Sequence, residues 1–275
     1  MSAKLVSIIN MKGGVGKTTL GFNLAMYLAE IKKKKVLLID LDPQANATIV
    51  STDPAKYELH CKSKKTVADI FVAAHRTYGP VHAKPKPFPA FEEFIYEVIG
   101  GKQGQFHIIP SELILSSVLR GMTLGPFDLD KLITDDVKKR YDYIFIDCAP
   151  TYSSLTTIAL NTTRSVLIPM VAETFGAHGT SLMKQVLDEH KYDFGFEVKI
   201  VGVAFTMWED QTDQFSHSNN IVTKWPPGTV FRSKISKNNW YRVSNGKRET
   251  IWHSKAHQKT KDEFEDFVTE FEAKA

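Results

Sequence analysis

Residues 10–20, NMKGGVGKTTL, combine glycine, lysine and threonine in an order suited to holding a chain of phosphates. Glycines let the backbone turn tightly and aim its N–H groups at phosphate oxygens. Lys17 is expected to reach the β- and γ-phosphates, and the Thr18 hydroxyl to bind Mg²⁺. The N-terminus of the helix that follows adds the positive end of its dipole. We therefore predict a nucleotide site that includes Gly13, Gly14, Val15, Gly16, Lys17, Thr18 and Thr19.

This loop departs from the standard phosphate-binding pattern, G-x-x-x-x-G-K-[ST], at its first position. Met11 stands where that pattern has a glycine, and an additional lysine, Lys12, lies inside the loop. We expect Gly13 and Gly14 to make the tight turn instead. A glycine-rich turn without a ligand is the alternative, but a strand, the glycines, a Lys-Thr pair and a helix in succession favour nucleotide binding.

Carboxylates follow two of the apolar runs, where they could serve a bound metal and a reacting phosphate. Asp147 ends the run YDYIFID and is predicted to hold the hydration shell of Mg²⁺. Asp42 lies just beyond the run KVLLID and could orient the attacking water, because phosphoryl transfer depends on positioning and electrostatics. Asp40 ends that run and either supports the metal or caps the following turn. The predicted metal set is Thr18, Asp40 and Asp147, and Lys17 and Asp42 are predicted to be catalytic.

Short apolar runs rich in β-branched residues must position these groups. Such runs end at Asn10, Asp40, Pro110 and Asp147, and SVLIPM and EVKIVGVAF follow them. Near-continuous apolar strands are typical of a parallel sheet buried on both faces. Between the first two runs, apolar residues recur at helical spacing, namely Leu20, Leu24, Leu28 and Ile31. The alternation predicts an α/β, doubly wound, mainly parallel sheet with helices on both faces.

The chain of 275 residues is predicted to form one domain over residues 1–275. A Pro-rich insertion near residues 75–91 indicates a surface loop, with partner binding as the alternative. An amphipathic helix is predicted near residues 259–273, with Phe264, Phe267, Val268 and Phe271 on its packing face.

The composition indicates where in the cell the protein acts more clearly than it indicates an activity. The net charge of +4 decides little, and the two cysteines, Cys61 and Cys148, are too far apart to suggest a disulfide framework or a Cys-rich metal site. The N-terminal apolar run is too short for a signal peptide. No apolar run approaches the roughly 20 residues that span a bilayer. We therefore expect a cytoplasmic protein.

The segments KGGVGKTT, LLIDLDPQANAT and YDYIFIDCAP together resemble the ParA/Soj group of deviant Walker-A ATPases, in order along nearly the whole chain. VLIPMVAETFGAHG is similar to the family's segment after its fourth core strand, with Glu173 at the acidic position. GVAFTMWEDQT and VFRSKISKN resemble segments near the base, which implies nucleotide contacts by Met207, Ser236, Lys237 and Asn238. Ser236 stands where the family commonly has proline, and Lys237 where it has arginine. No helix-turn-helix precedes the phosphate loop, so the short form of the family is expected.

The resemblance implies a cycle that uses ATP and Mg²⁺ as cofactors. ATP would bring two subunits together as a homodimer that sandwiches two nucleotides. Lys12 would reach across to the other subunit's phosphates, which adds it to the nucleotide-binding and catalytic sets. The dimer would bind nucleoid DNA without sequence preference, and a ParB-like or other adaptor protein would stimulate an otherwise weak hydrolysis and release it. The outcome would be segregation of plasmid or chromosome DNA by a cytoplasmic, nucleoid-associated protein.

Residues 224–261 hold ten basic residues and one acid, so the rest of the chain is net acidic. Such an asymmetry favours contact with a phosphate backbone. The predicted DNA-binding residues are Lys224, Arg232, Lys234, Arg242, Lys247, Arg248 and Lys255. Aromatic residues lie among them, namely Trp225, Trp240, Tyr241 and Trp252, and buried anchors are a better interpretation of these than base stacking, which mainly serves single strands.

Three other functions remain to be weighed. A membrane-bound positioner should end in a basic amphipathic helix, whereas the last helix here is rich in acids, so no membrane partner is expected. A ParA-like positioner of a non-DNA cargo would use the same ATPase and the same nucleoid binding. A nucleotide-gated binding module with negligible turnover would lack a carboxylate to orient water, and Asp42 argues against it.

Overall fold

The computed structural model describes residues 2–63, 65–76, 87–101, 104–173 and 176–275. Within these ranges one eight-stranded sheet is present, with strands β1 (Lys4–Ile8), β2 (Lys35–Asp40), β3 (Tyr96–Ile99), β4 (Gln105–Ile109), β5 (Tyr143–Asp147), β6 (Ser165–Met170), β7 (Lys199–Trp208) and β8 (Val230–Ser236). The strand order is β3-β4-β2-β5-β1-β6-β7-β8, and the β3–β4 pair is antiparallel while the other pairs are parallel. The predicted fold class is confirmed.

Helices connect the strands. They are α1 (Lys17–Glu30), α2 (Asn46–Ser51), α3 (Pro54–Ser63), α4 (Val67–Arg76), α5 (Leu115–Gly121), α6 (Asp135–Arg140), α7 (Ser154–Thr163), α8 (Gly176–Phe194), α9 (Thr212–Val222), α10 (Asn239–Lys247) and α11 (Gln258–Lys274). Short 3-10 helices lie at Phe91–Glu93, Asp128–Lys131 and Ile251–His253.

The sheet separates two apolar clusters, because successive side chains of a strand point to opposite faces. In β2, Leu37 packs in a cluster with Phe71 of α4, and Leu38 packs in the other cluster with Leu24 of α1 and Phe267 of α11. Both faces of the central strands are therefore covered, as the continuous apolar runs predict.

Two details of the helices differ from the sequence pattern or extend it. Leu20, Leu24 and Leu28 are buried, but Ile31 is 47% exposed because α1 ends at Glu30. The C-terminal helix spans Gln258–Lys274, and its packing residues, Phe264, Phe267, Val268 and Phe271, are all buried.

The edge strands β3 and β8 have no counterpart among the predicted runs. Residues 77–86 of the Pro-rich insertion lie outside the described residues, and Phe91 after them is buried. Among the helices of the described ranges, none has the length and apolar character that crossing a bilayer requires.

Strand register sets the functional site. Ile8 of β1 and Asp40 of β2 both align with Asp147 of β5, which lies between these strands. The loops that follow β1, β2 and β5 therefore meet at the carboxyl edge of the sheet, where open α/β sheets bind ligands.

Candidate nucleotide-binding site

The phosphate loop connects β1 to α1 and depends on two glycines for its shape. Gly14 and Gly16 have φ of 76° and 84°, in the left-handed region where a side chain is strained. Gly13 and Gly14 form the turn, as expected, and Gly16 adds a second left-handed position after Gly14. Helix α1 starts without a side-chain cap, so its first N–H groups point toward the loop for an anion to use.

Lys17 is buried beneath this loop and held by backbone oxygens. Its Nζ donates to the carbonyls of Asn10 at 3.0 Å and Lys12 at 3.1 Å. Burial lowers the pKa of Lys17, and the carboxylate of Asp147 opposes that shift. When a nucleotide binds, phosphate oxygens could therefore replace these two carbonyls as the acceptors of the Lys17 ammonium group.

Asn10 braces the start of the loop, a role that the sequence pattern does not indicate. Its side-chain Nδ2 donates to the carbonyl of Pro169 at 2.7 Å, and its Oδ1 accepts from the N–H of Lys12 at 2.9 Å. On the other side of the loop, the Thr206 hydroxyl donates to the carbonyl of Val15 at 2.8 Å. The loop is therefore tied to β6 and β7 before any ligand binds.

Thr18 and Asp147, both predicted to hold the metal, lie together. The Thr18 hydroxyl donates to Asp147 Oδ2 at 2.7 Å, and Asp147 Oδ1 is buried with no hydrogen-bond partner among the described residues. A hydroxyl and a carboxylate are the oxygen donors that Mg²⁺ accepts, and Mg²⁺ commonly takes one or two carboxylates and completes its shell with water and phosphate. The residues present therefore fit a Mg²⁺ ion.

Asp147 has an unusual proton affinity. Burial, and next the neighbouring Asp40, raise the pKa of Asp147 to about 8, against the lowering effect of its Thr18 bond and of Lys17. Two carboxylates buried side by side resist full ionisation, and a cation between them and a phosphate would relieve that cost.

Asp40 is a fully buried member of the same pair, and its oxygens are already engaged. Asp40 Oδ1 accepts from the N–H of Asp42 at 3.1 Å, and Asp40 Oδ2 accepts from the N–H and the hydroxyl of Thr48, each at 2.8 Å. Burial raises the pKa of Asp40 to about 7, although these hydrogen bonds lower it. The geometry matches the turn-capping interpretation, since Asp40 anchors α2. Its role near the metal stays a prediction.

Asp42 is fixed by the turn that follows β2. It is 7% exposed, and its Oδ1 accepts from the N–H of Gln44 at 2.9 Å. Ala45 then adopts a left-handed φ of 55° to begin α2. The carboxylate therefore occupies a defined position at the sheet edge that carries the phosphate loop.

Lys12, the additional lysine, forms an ion pair with Glu173 of its own chain. Both side chains are more than a third exposed, at 46% and 39%. Glu173 is the acid that the sequence resemblance singles out, and the structure brings it beside Lys12, Gly13 and Gly14 of the phosphate loop.

A cavity of about 270 Å³ adjoins the loop on its other side. All four residues predicted near the base, Met207, Ser236, Lys237 and Asn238, line it. Gly16 and Thr19, which were predicted as nucleotide-binding residues of the phosphate loop, also line the cavity. The lining residues that were not predicted at the nucleotide site are Leu20, Thr206, Ile235, Tyr241, Arg242, Asn245 and Phe264. The mix of apolar walls and a few polar groups is typical of a pocket for a flat organic ligand.

Comparison with known proteins identifies the family. A model of the AAA domain family matches residues 3–199. The chromosome-partitioning ATPase Soj of Thermus thermophilus is 30% identical over 208 residues, which cover 75% of this chain and 70% of Soj. The chain belongs to the ParA/Soj family. The sporulation initiation inhibitor protein Soj of Bacillus subtilis is also 30% identical, over 236 residues that cover 86% of this chain and 85% of that protein.

A solved structure supports the same fold. The putative plasmid partition protein of Borrelia burgdorferi bound to AMPPNP superposes with a TM-score of 0.77 at 21% identity, covering 99% of this chain and 100% of that one. As a ParA/Soj family member, the chain is a P-loop ATPase of the partition and positioning class.

The basic segment of this ParA-family chain does not form a single face. In β8, Phe231 and Ile235 pack in the cluster with α11, whereas Lys234 lies 3.6 Å from the ring centroid of Trp208 in the opposite cluster. Arg232 shares the strand parity of Lys234. Helix α10 packs through Tyr241 on the α11 side.

Other predicted DNA-binding residues occupy different surroundings. Arg242 lines the 270 Å³ cavity. Arg248 donates from Nε to the carbonyl of Thr52 at 2.5 Å. Lys247 and Lys255 are exposed and line one pocket of about 200 Å³. Lys224 lies two residues after α9 and is half-buried. The DNA-binding assignments stay predictions, and Lys247 and Lys255 are exposed around the same pocket, where one backbone phosphate could reach both.

The aromatic residues of this segment divide as well. Trp225 and Tyr241 are buried, while Trp240 and Trp252 are half-buried. Trp252 donates from Nε1 to Glu30 Oε2 at 3.0 Å and packs edge-on against Tyr27. The contacts of Trp252 are those of a packing anchor.

Proposed function

We propose that this ParA-family ATPase binds Mg·ATP at the phosphate loop, dimerises through that face, and binds DNA without sequence preference as the dimer. An adaptor protein then stimulates hydrolysis and releases it, so that plasmid or chromosome DNA is segregated. The main support for this proposal is the hydrogen bond between Thr18 and Asp147. It lies at the carboxyl edge of the sheet, where the loops that contain Lys12 and Asp42 also lie.

Each group at this edge has a task that follows from its position. Lys17 exchanges its two backbone acceptors for phosphate oxygens, which costs little because one set of charge-assisted hydrogen bonds replaces another. Thr18 and Asp147 are the residues that would hold Mg²⁺, which supplies neutralisation of the phosphate charge. Asp42, fixed by Gln44, orients the attacking water.

Lys12 is free enough to change partner. An exposed ion pair such as Lys12–Glu173 is typically worth only about 0–1 kcal/mol, so breaking it is a minor cost. A triphosphate on a second subunit offers several charged oxygens in place of one carboxylate. Lys12 would therefore leave Glu173 when two subunits meet, and ATP would act as part of the dimer interface.

The experiment compares ATP-dependent dimerisation of wild type, Lys12→Ala and Lys191→Ala by sedimentation velocity with ATP or ADP. Lys191 is a matched control, because it is an exposed lysine paired with an acid, Glu197, and its removal changes the charge equally. Wild type and Lys191→Ala should dimerise with ATP, and Lys12→Ala should bind ATP as a monomer. A normal dimer of Lys12→Ala would refute the role given to Lys12.

Turnover separates the proposed ATPase cycle from a nucleotide-gated binding module. Hydrolysis is measured with duplex DNA, alone and with an adaptor protein, for wild type and Asp42→Ala. We expect Asp42→Ala to bind ATP and dimerise but to lose hydrolysis. If wild type binds ATP and does not hydrolyse it under any of these conditions, the binding-module alternative is correct.

A further inference from the structure

Helix α10 forms one wall of the 270 Å³ cavity beside the phosphate loop. Tyr241, Arg242 and Asn245 of this helix line the cavity together with Gly16 and Thr19 of the loop. The basic segment that includes α10 was expected to serve DNA, yet this face of the helix is turned inward to the cavity. What the face could recognise follows from its polar atoms.

Asn245 is fixed at the end of the cavity that lies nearest the phosphate loop. Its Nδ2 donates to the Thr19 hydroxyl at 3.1 Å. Its Oδ1 is buried and has no hydrogen-bond partner in the described part of the chain. Thr19 lies two residues after Lys17, which is predicted to bind the phosphates. A ligand group that reaches Asn245 Oδ1 would therefore lie close to the phosphates of the same molecule.

Tyr241 lies one helical turn earlier, and residues four apart share a helix face. Its side chain is only 8% exposed, and its hydroxyl also has no hydrogen-bond partner within the described ranges. Phe264, whose ring centroid lies 6.4 Å away, and Ile235 make the surroundings apolar. Burial raises the pKa of Tyr241, so the phenol stays neutral and can both donate and accept.

Two buried, unpaired oxygens on one face of one helix are uncommon, because buried polar groups in proteins nearly always have partners. Both oxygens are already shielded from water, so each would gain a hydrogen bond at no further desolvation cost to the protein once a small side-chain rotation presents it to a ligand in the cavity. The apolar walls suit a flat heteroaromatic ring, and the polar end beside Thr19 suits a sugar.

We propose that Tyr241 and Asn245 of α10 recognise the nucleoside half of the bound nucleotide. Asn245 Oδ1 accepts a hydrogen bond from a ribose hydroxyl, and the Tyr241 hydroxyl bonds to the edge of the base. The inference rests on the proposed function, since the nucleotide is the one whose phosphates the loop holds. It adds specificity residues from α10 to those predicted at residues 207 and 236–238.

The test measures binding of ATP, 2′,3′-dideoxy-ATP and inorganic tripolyphosphate by calorimetry. Wild type should prefer ATP to the dideoxy nucleotide by about fivefold, the usual worth of one net hydrogen bond. Asn245→Ala should lose this preference, and Tyr241→Phe should bind both nucleotides about fivefold more weakly. Tripolyphosphate, which uses only the phosphate loop, should bind all proteins equally.

Asn219→Ala is the matched control, because Asn219 is an exposed asparagine of helix α9 and does not line the cavity. It should bind every ligand as wild type does. Equal affinity of wild type for ATP and the dideoxy nucleotide would overturn the role of Asn245 without any variant. A parallel loss of tripolyphosphate binding in Asn245→Ala would overturn it too, because Asn245 would then only support the loop.

The role of Tyr241 is overturned if Tyr241→Phe binds ATP as tightly as wild type does. Failure of the proposed function gives a different result, in which wild type binds neither ATP nor tripolyphosphate. Binding of tripolyphosphate with no gain from the nucleoside would refute the inference alone.

Discussion

Nucleotide binding should release a proton from Asp147, and the size of the release follows from its surroundings. In the free protein, burial and then Asp40 raise the pKa of Asp147 to about 8. A carboxyl group with that pKa is about nine-tenths protonated at pH 7 and about one-tenth protonated at pH 9, since each unit is a tenfold change. A Mg²⁺ ion beside the group favours the charged form and lowers the pKa. Binding of Mg·ATP should therefore release close to one proton at pH 7 and almost none at pH 9.

The assay is calorimetry of Mg·ATP binding in two buffers with different ionisation enthalpies, at pH 7 and pH 9. Asp147→Asn keeps the shape of the side chain and removes the titrating group. In that variant the release at pH 7 should fall to the share of Asp40, whose pKa burial raises to about 7. ATP added without Mg²⁺ serves as the control. Equal release by wild type and Asp147→Asn would refute the reasoning.

The same shift has a consequence for the stability of the free protein. Because the native pKa of Asp147 lies above its unfolded value near 3.8, the contribution to stability is present below pH 4. It is lost as pH rises toward 8, at up to about 1.4 kcal/mol per pH unit. Asp147→Asn should show a flatter dependence of its unfolding free energy over this range in urea titrations. A wild-type curve that rises over the same interval would contradict the assignment.

Three further perturbations test separate parts of the structure. Binding of duplex DNA by the ATP form should weaken steeply with salt, and Lys247→Ala should reduce the log–log salt slope by about 1, as loss of one phosphate contact requires; salt-insensitive binding would remove the electrostatic model. Arg248→Ala should lower kcat about fivefold with little change in ATP affinity. The reason is that the hydrogen bond from Arg248 to the Thr52 carbonyl holds the end of α2, the helix that follows the turn of Asp42. Unchanged steady-state kinetics would show that Arg248 does not support Asp42. Gly202→Ala should cost about 1–3 kcal/mol in urea unfolding, because the new Cβ would lie 2.1 Å from Phe231 Cε2, and a variant of wild-type stability would show that the ring can move aside.

Local sequence determined the parts of this protein whose physics is local. The phosphate loop is contiguous, so the order of Gly14, Gly16, Lys17 and Thr18 was enough to predict a nucleotide site. The central strands are buried on both faces, so their continuous apolar runs identified them and the sheet that they form. Asp147 was found because it ends such a run, and Asp42 because it lies just beyond one.

The tertiary structure decided whatever depends on a partner distant in sequence. The edge strand β8 alternates basic and apolar residues, and only its neighbours make Phe231 inward-facing and set Lys234 against Trp208. Charge counting assigned α10 to DNA, whereas packing turned Tyr241 and Asn245 toward the cavity beside the phosphate loop. The amide of Asn245 meets Thr19 across 226 positions of sequence, a separation that no local pattern spans. The sequence thus showed that residues 224–261 are rich in basic side chains. Only the fold decided which face of α10 lines the cavity beside the phosphate loop, because burial is a property of the packed chain.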